Sequence, residues 1–246
     1  MSKKIKKKII LLFGPTASGK SRLAVDIAKE FNCEIINADS MQVYKEVKIL
    51  SARPNNKNIK HHLYGFVSVK KNFSTGSWYK LVAKKIKNIN QKGKIALVVG
   101  GTGLYFKVLT DGLSEIPKIP KKNMNFKLDK DYILKNPKIF KGIPINDRQR
   151  QHRAFSVYKY TGKPLWAWQK KNKKNFESRE FIKIFLQPGK PEIENRIKKR
   201  FDKMLREGAI HEAENFKKIG VNSINSSNFI IGLKEISQFL NKKISL

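Results

Sequence analysis

The strongest constraint in this sequence is the octapeptide GPTASGKS at residues 14–21. It stands directly behind the apolar run Ile9, Ile10, Leu11, Leu12 and Phe13 and ahead of a helix-like stretch over residues 22–31. It matches G-x-x-x-x-G-K-[ST] in the strand-then-helix setting the motif requires. The residue types follow from the ligand. Glycines let the backbone turn tightly and aim several N–H groups inward, the helix N-terminus adds partial positive charge, and a lysine reaches the outer phosphate. Gly14, Pro15, Thr16, Ala17, Ser18, Gly19, Lys20 and Ser21 are therefore expected to cradle a diphosphate, with the Ser21 hydroxyl on a bridging Mg2+. The loop alone leaves open whether that diphosphate belongs to a nucleotide.

Further apolar runs predict strands at residues 34–38, 95–99 and 181–186, with helices between them. The first helix spans 20–31, with Leu23, Ala24, Ile27, Ala28 and Phe31 on one face. The second is capped by Ser74 or Thr75 and runs to about residue 90, burying Trp78, Leu81, Val82, Ile86 and Ile89. A basic helix over 191–206 carries the stripe Ile193, Ile197, Phe201, Met204 and Leu205, and two more helices follow at 209–218 and 228–240. Strands alternating with helices predict an α/β fold, a parallel sheet flanked by helices and carrying the P-loop.

In such sheets the ligand crevice lies at the carboxyl ends of the strands. Asp39 stands at the end of the second strand and Thr102 just past the third, so both are expected beside the loop. The third strand closes in Gly-Gly-Thr, where a P-loop nucleotide hydrolase would use an acidic residue to hold Mg2+ or its waters. His61-His62-Leu63-Tyr64-Gly65-Phe66, opening on a pair of adjacent histidines, reads as an edge strand or an extended segment. No His, Cys or acidic cluster lies at ligand spacing nearby, which leaves the pair to packing or substrate contact rather than a metal.

Between residues 114 and 142 the pattern breaks into Pro, Lys and Asn, the mark of an insertion or lid. The expected division is residues 1–112 as the first part of the core, 113–145 as a small, shortened helical insertion, and 146–246 as the rest of the core with the C-terminal helices. Within the last part a helix over 147–160, capped by Asn146, sets Gln149, Arg153 and Ser156 along one side. A short helix at 163–168 brings Trp166 and Trp168, which either stack on bases or pack against the preceding helix.

Fifty-three Lys and Arg against nineteen Asp and Glu give a net charge of +34, a field that favours a polyanionic partner. Lysines scattered among Asn and Ile are also what compositional bias produces. No apolar run approaches the ~20 residues of a membrane span, and the amino terminus runs into the phosphate loop rather than a cleavage site, so a cytoplasmic protein is expected. The single cysteine, Cys33, reads as a small core residue.

In order along the chain, GPTASGKS, NADSMQVYK, Ser51-Ala52-Arg53-Pro54 with a following HHL, VVGGTGLYF, INDRQRQHRAFSVYKYTGKPL and a later run ending in Glu235-Ile236 resemble the tRNA dimethylallyltransferases. The likeness covers most of residues 9–240. It implies a prenyltransferase that moves a dimethylallyl group from dimethylallyl diphosphate to N6 of the adenosine 3′ to the anticodon. It further implies that the P-loop and Mg2+ hold that diphosphate rather than ATP. An adenine amine is a poor nucleophile until a base accepts its proton; Asp39 is the candidate base and Thr102 the group that orients the amine. Ser40, Met41 and Gln42 are expected to touch the same nucleotide, and Gln149, Arg150, Gln151, His152 and Arg153 to grip the anticodon stem-loop. The chain is expected to act as a monomer away from membranes. It departs from the family in a shorter 113–145 region, in Leu233 where Tyr is frequent, and in ending at Leu246 before an expected basic helix. Two other readings share the motifs. One is a small-molecule kinase in which Lys20 and Mg2+ serve ATP and Asp39 deprotonates a hydroxyl; the other is a non-catalytic remnant that only binds tRNA.

Overall fold

Strands that are apolar on both faces belong in a parallel sheet covered on both sides, and that is where these runs go. The computed structural model describes residues 8–55, 58–120, 128–170, 172–222 and 225–244. In chain order the elements are β1 (Ile9–Phe13), α1 (Lys20–Glu30), β2 (Cys33–Asn37), β3 (His61–His62), α2 (Thr75–Gln91), β4 (Ile95–Gly100) and α3 (Gly103–Asp111). There follow α4 (Lys130–Lys135), α5 (Arg148–Thr161), α6 (Leu165–Trp168), β5 (Phe181–Phe185), α7 (Lys190–Arg206), α8 (Ala209–Lys218) and α9 (Leu233–Leu240). The sheet order is β3-β2-β4-β1-β5, all parallel.

That order decides where the chemistry gathers. β4 inserts between β1 and β2, so the phosphate loop after β1, Gly-Gly-Thr after β4 and Asp39 after β2 come out side by side at the carboxyl edge. Ile10, Leu12, Ile35 and Leu97 share one face of the sheet with Ala24 and Ala28 of α1. Phe31, expected on that helical face, is instead the exposed C-cap. α2 is capped by Ser74, whose hydroxyl accepts from Ser77 N, and it buries Trp78, Val82, Ile86 and Ile89. Trp78 is fully enclosed, stacks on Tyr105 at 4.2 Å and donates its indole N–H to Asn37 O at 2.8 Å. Truncating such a side chain costs about 3–5 kcal/mol.

The chain forms two compact units, one of Met1–Thr110 with Phe176–Leu246, the other of Asp111–Asn175. In the first, α8 and α9 bury Ala213, Phe216, Leu233 and Ile236 against Val43, Tyr44, Val47 and Val67. The helix expected over 228–240 begins only at Leu233, after a 3-10 turn (Ser226–Phe229), because Gly232 at φ 91° interrupts it. α7 differs from its amphipathic reading: none of its residues is fully buried, and Ile197 and Phe201 are 46% and 49% exposed. The second unit has its own core of Ile133, Ile139, Phe140 and Ala154. The insertion expected over 113–145 falls inside this unit, which runs on to Asn175 because α5 supplies part of that core; residues 121–127 lie outside the described residues. Asp147, not Asn146, caps α5, its carboxylate accepting from Arg150 N at 3.0 Å. Among the described residues no helix is long and apolar enough to cross a membrane.

Candidate active site

Between β1 and α1 the backbone passes twice through left-handed conformations, at Ala17 (φ 62°) and Gly19 (φ 90°), the second being the N-cap of α1. Only glycine adopts the latter without cost. The loop closes on Lys20, whose ammonium donates to Gly14 O at 2.9 Å, Pro15 O at 2.5 Å and Ser18 Oγ at 3.1 Å. These three bonds use all the donors an ammonium has, which holds it over the loop. Burial lowers the Lys20 pKa, the Asp39 carboxylate opposes that, and Arg200 adds to it. The loop lysine, Asp39 and an arginine from α7 are thus within electrostatic reach of one another.

The tips of β2 and β4 are tied together. Ala38 N donates to Val99 O at 2.7 Å and Thr102 N to Ala38 O at 3.2 Å. A side chain at Gly100 would run into the Ala38 backbone, so only glycine permits this approach. The closeness places Ser40 N on Thr102 Oγ1 at 2.9 Å, while the Thr102 hydroxyl donates to Ser40 Oγ at 3.2 Å. A hydroxyl has two acceptor lone pairs, so Thr102 keeps one for an incoming N–H. Asp39 is fixed by its own turn. Its N–H donates to the buried Asn37 Oδ1 at 2.8 Å, and its Oδ1 accepts from Met41 N at 2.9 Å. Asp39 Oδ2 has no hydrogen-bond partner among the described residues.

Around these groups lies a crevice of about 270 Å³, lined by the loop residues Thr16 to Ser21 together with Asp39, Tyr64, Gly100, Arg196 and Arg200. The two arginines were missed in the sequence. They sit one helical turn apart on α7, and β5 pairing beside β1 is what brings that helix to the loop. Arg196 Nη1 donates to Ala17 O at 3.4 Å, and its Nη2 pairs with Glu192 at 2.5 Å. The signal available beforehand was the i, i+4 spacing, which many solvated helices share. A second cleft of about 820 Å³ opens at the same edge, apolar and lined by Phe13, Phe106, Phe185 and Ile193 beside Gly14 and Gly101. Phe13 stands 5.4 Å from Phe106 and 5.1 Å from Phe185 between ring centroids.

Other expected contacts fall elsewhere. Gln42 lines the crevice, but its amide donates to Ser51 O at 3.0 Å and Ala52 O at 3.1 Å, so it organises the neighbouring loop. Met41 packs on the cluster built by α8 and α9. Gln149, Arg150, Gln151, His152 and Arg153 belong to the second unit. Gln149, Arg150 and Arg153 are exposed on α5, with Arg150 paired to Asp147 at 3.2 Å. Gln151 does not stand with them: it is 2% exposed and donates to Pro144 O and Ile145 O, which makes it a strut for the loop entering α5. Ser156, expected on the same side as Gln149, is buried as well. The paired histidines pack. His62 Nε2 meets Glu34 Oε2 at 2.7 Å, and Lys94 Nζ meets Glu34 Oε1 at 3.1 Å. Cys33 is buried, and desolvation pushes its thiol pKa up to about 11.

Among the described residues no three His, Cys, Asp or Glu side chains converge as a metal cage. The side-chain oxygens lining the crevice are the hydroxyls of Thr16, Ser18, Ser21 and Tyr64, the Gln42 amide oxygen and one carboxylate, that of Asp39, with Ser21 exposed. That set fits an ion that arrives on diphosphate oxygens and keeps its waters, which is how Mg2+ binds, rather than one held by protein alone.

Residues 42–246 match the family model described as IPP transferase. The tRNA dimethylallyltransferase of Pelagibacter ubique (strain HTCC1062) is 46% identical over 253 residues, spanning 97% of this chain and 81% of that protein. That of Parvibaculum lavamentivorans is 37% identical over 250 residues, spanning 96% and 80%. Among solved structures, the tRNA delta(2)-isopentenylpyrophosphate transferase of Staphylococcus epidermidis superposes with a TM-score of 0.64 at 30% identity, covering 97% of this chain and 83% of that one. A eukaryotic dimethylallyltransferase acting on tRNA gives a TM-score of 0.82 at 26% identity, covering 96% and 64%.

Proposed function

The chain belongs to the IPP transferase family, and from that premise we propose that it transfers a dimethylallyl group from dimethylallyl diphosphate to N6 of the adenosine 3′ to the anticodon of tRNA. The observation that carries the reading is the knot of Asp39, Ser40 and Thr102 at adjacent strand tips beside Lys20. One purine amine fits there between a proton acceptor and a leaving group.

In this mechanism the N6 nitrogen forms a bond to the allylic carbon as the bond from that carbon to the diphosphate oxygen breaks. The N6 proton passes to Asp39 Oδ2, the carboxylate oxygen that Met41 N does not occupy. Thr102 Oγ1 accepts the amine's other N–H and aims its lone pair. Lys20, the loop N–H groups and the guanidinium groups of Arg196 and Arg200 stabilise the charge that builds on the departing diphosphate. Mg2+, carried by the diphosphate with Ser21 as its protein oxygen, would supply further charge neutralisation there. The apolar cleft of Phe13, Phe106 and Phe185 suits the five-carbon chain, which it would keep from water. A stacked base has no access to such a crevice, so the adenosine must be extruded, and the cationic surface supplies phosphate contacts that offset the cost. A cytoplasmic monomer is consistent with this reading.

The test is transfer of a labelled dimethylallyl group to unmodified tRNA. Wild type should label tRNA and Asp39→Asn should not, while both bind tRNA. Stabilisation of the protein by ATP in preference to dimethylallyl diphosphate, with turnover independent of tRNA, would reverse the assignment in favour of a kinase.

A further inference from the structure

The second unit carries a feature that the reaction does not use. Trp166 and Trp168 lie one residue apart on α6, and each indole N–H is anchored internally. Trp166 Nε1 donates to Lys138 O at 2.8 Å and Trp168 Nε1 to Thr161 Oγ1 at 3.3 Å. With their polar ends tied down, the rings stay half-buried at the wall of a cleft of about 750 Å³ whose other members include Lys163, Lys170 and Lys173. Lysine ammoniums stand over the ring faces. Lys141 and Lys170 are 5.3 and 5.2 Å from the Trp166 centroid, and Lys163 is 5.1 Å from that of Trp168. The carboxylate lining the cleft, Glu115, pairs with Lys173 at 3.1 Å. Lys141, Lys163 and Lys170 enter no ion pair among the described residues.

We propose that this cleft binds single-stranded RNA by stacking unpaired bases on Trp166 and Trp168 while Lys141, Lys163 and Lys170 move from the rings to the flanking phosphates. The exchange is favourable on ordinary magnitudes. An exposed cation–π contact is worth a factor of about 2 to 5 in an equilibrium constant. A base stacked on an aromatic ring is worth about 5 to 150. Each lysine released from a ring gains a phosphate partner instead of an unpaired position in solvent. A purely electrostatic patch would not need two rings with locked edges, and an acidic peptide would use the ammoniums but leave the ring faces without a stacking partner. The proposal rests on the tRNA reading for the identity of the RNA, and it assigns to this cleft the unpaired nucleotides outside the reacting adenosine.

The test uses the full chain and an eight-residue oligouridylate. Of the three tryptophans, Trp78 is buried and stacked on Tyr105, so it provides a constant background. Stacking should quench the emission of the other two on titration. Trp166→Leu should weaken the oligonucleotide about tenfold, and Trp166→Phe, which keeps a ring, should restore most of the affinity. Replacing Lys141 and Lys170 together with Ala should lower the slope of log affinity against log salt by about 1.4, at roughly 0.7 per phosphate on a single strand. In the transfer assay Trp166→Leu should raise the KM for tRNA about tenfold at unchanged kcat. Absence of quenching in wild type, or equal affinity for an oligoglutamate of matched charge, would overturn the proposal. Because quenching and affinity are read without turnover, a chain that quenches but never transfers a prenyl group would sink the catalytic reading and leave this one standing.

Discussion

The two units handle positive charge in opposite ways. In the α/β unit the key cation is half-buried and tied down: Lys20 spends its three donors on loop oxygens, and burial lowers its pKa. In the Asp111–Asn175 unit the ammoniums of Lys141, Lys163 and Lys170 rest on indole faces, contacts that are weak and easily exchanged. The first arrangement is preorganised for one small anion. The second is adaptable, as a surface for a long flexible polyanion must be. If the contrast holds, substitutions in one unit should separate from those in the other in what they impair.

The largest effect is expected at Asp39. Asp39→Asn keeps the acceptor for Met41 N but cannot take a proton, so prenyl transfer should fall by about 10²–10⁴ while donor and tRNA affinity persist; equal turnover would remove Asp39 from the mechanism. Lys20→Ala should weaken dimethylallyl diphosphate by about ten- to a hundredfold, read as a lost thermal shift, because an ammonium N–H that turns from a loop oxygen to the diphosphate makes a charge-assisted bond of about 1.5–3 kcal/mol. Gly100→Ala drives a methyl group into the Ala38 backbone and should destabilise the protein by about 1–3 kcal/mol in denaturant melts, with donor binding impaired as well. Gln151→Leu should cost about 1–3 kcal/mol, since it strands the Pro144 and Ile145 carbonyls. It should spare the donor-induced thermal shift and lower tRNA affinity, and a lost donor response would break the proposed division of labour.

The smallest effect concerns pH. Burial lowers the His62 pKa below 6.5, against the pull of Glu34. The unfolded chain therefore binds the proton more readily, and this part of stability is lost as pH falls through 6.5 toward the folded value. Burial of Glu34 tends to raise its pKa, but hydrogen bonds and charge from His62 and Lys94 outweigh that and hold it below 4.5. Its contribution survives to lower pH and is lost as pH falls through 4.5 to the folded value. His62→Gln should remove the first phase of a Tm-against-pH curve and shrink the second, with Lys94 left to hold Glu34 down; a curve unchanged near 6.5 would show that His62 does not titrate on unfolding.

The strands, the phosphate loop and the Asp39 and Thr102 candidates were legible in one dimension because each depends on neighbours in sequence. Runs such as Ile9 to Phe13 have to be buried, Ser74 caps the helix that follows it, and GPTASGKS bends as its glycines dictate. Family likeness then named the chemistry. What local pattern does not carry is which strand lies beside which. Arg196 and Arg200 read as a solvated face until β5 pairs with β1, Gln151 looked like an RNA contact until Pro144 and Ile145 closed over it, and the stripe on α7 looked like core. By itself the sequence determined a parallel α/β fold, a tight glycine loop between the first strand and its helix, and a carboxylate at a strand tip, all set by periodicity and turn chemistry. Only the tertiary structure decided that the tips of β2 and β4 knot together through Gly100, and that Lys141 comes to rest on the ring of Trp166, because convergence of residues distant in sequence is a property of packing.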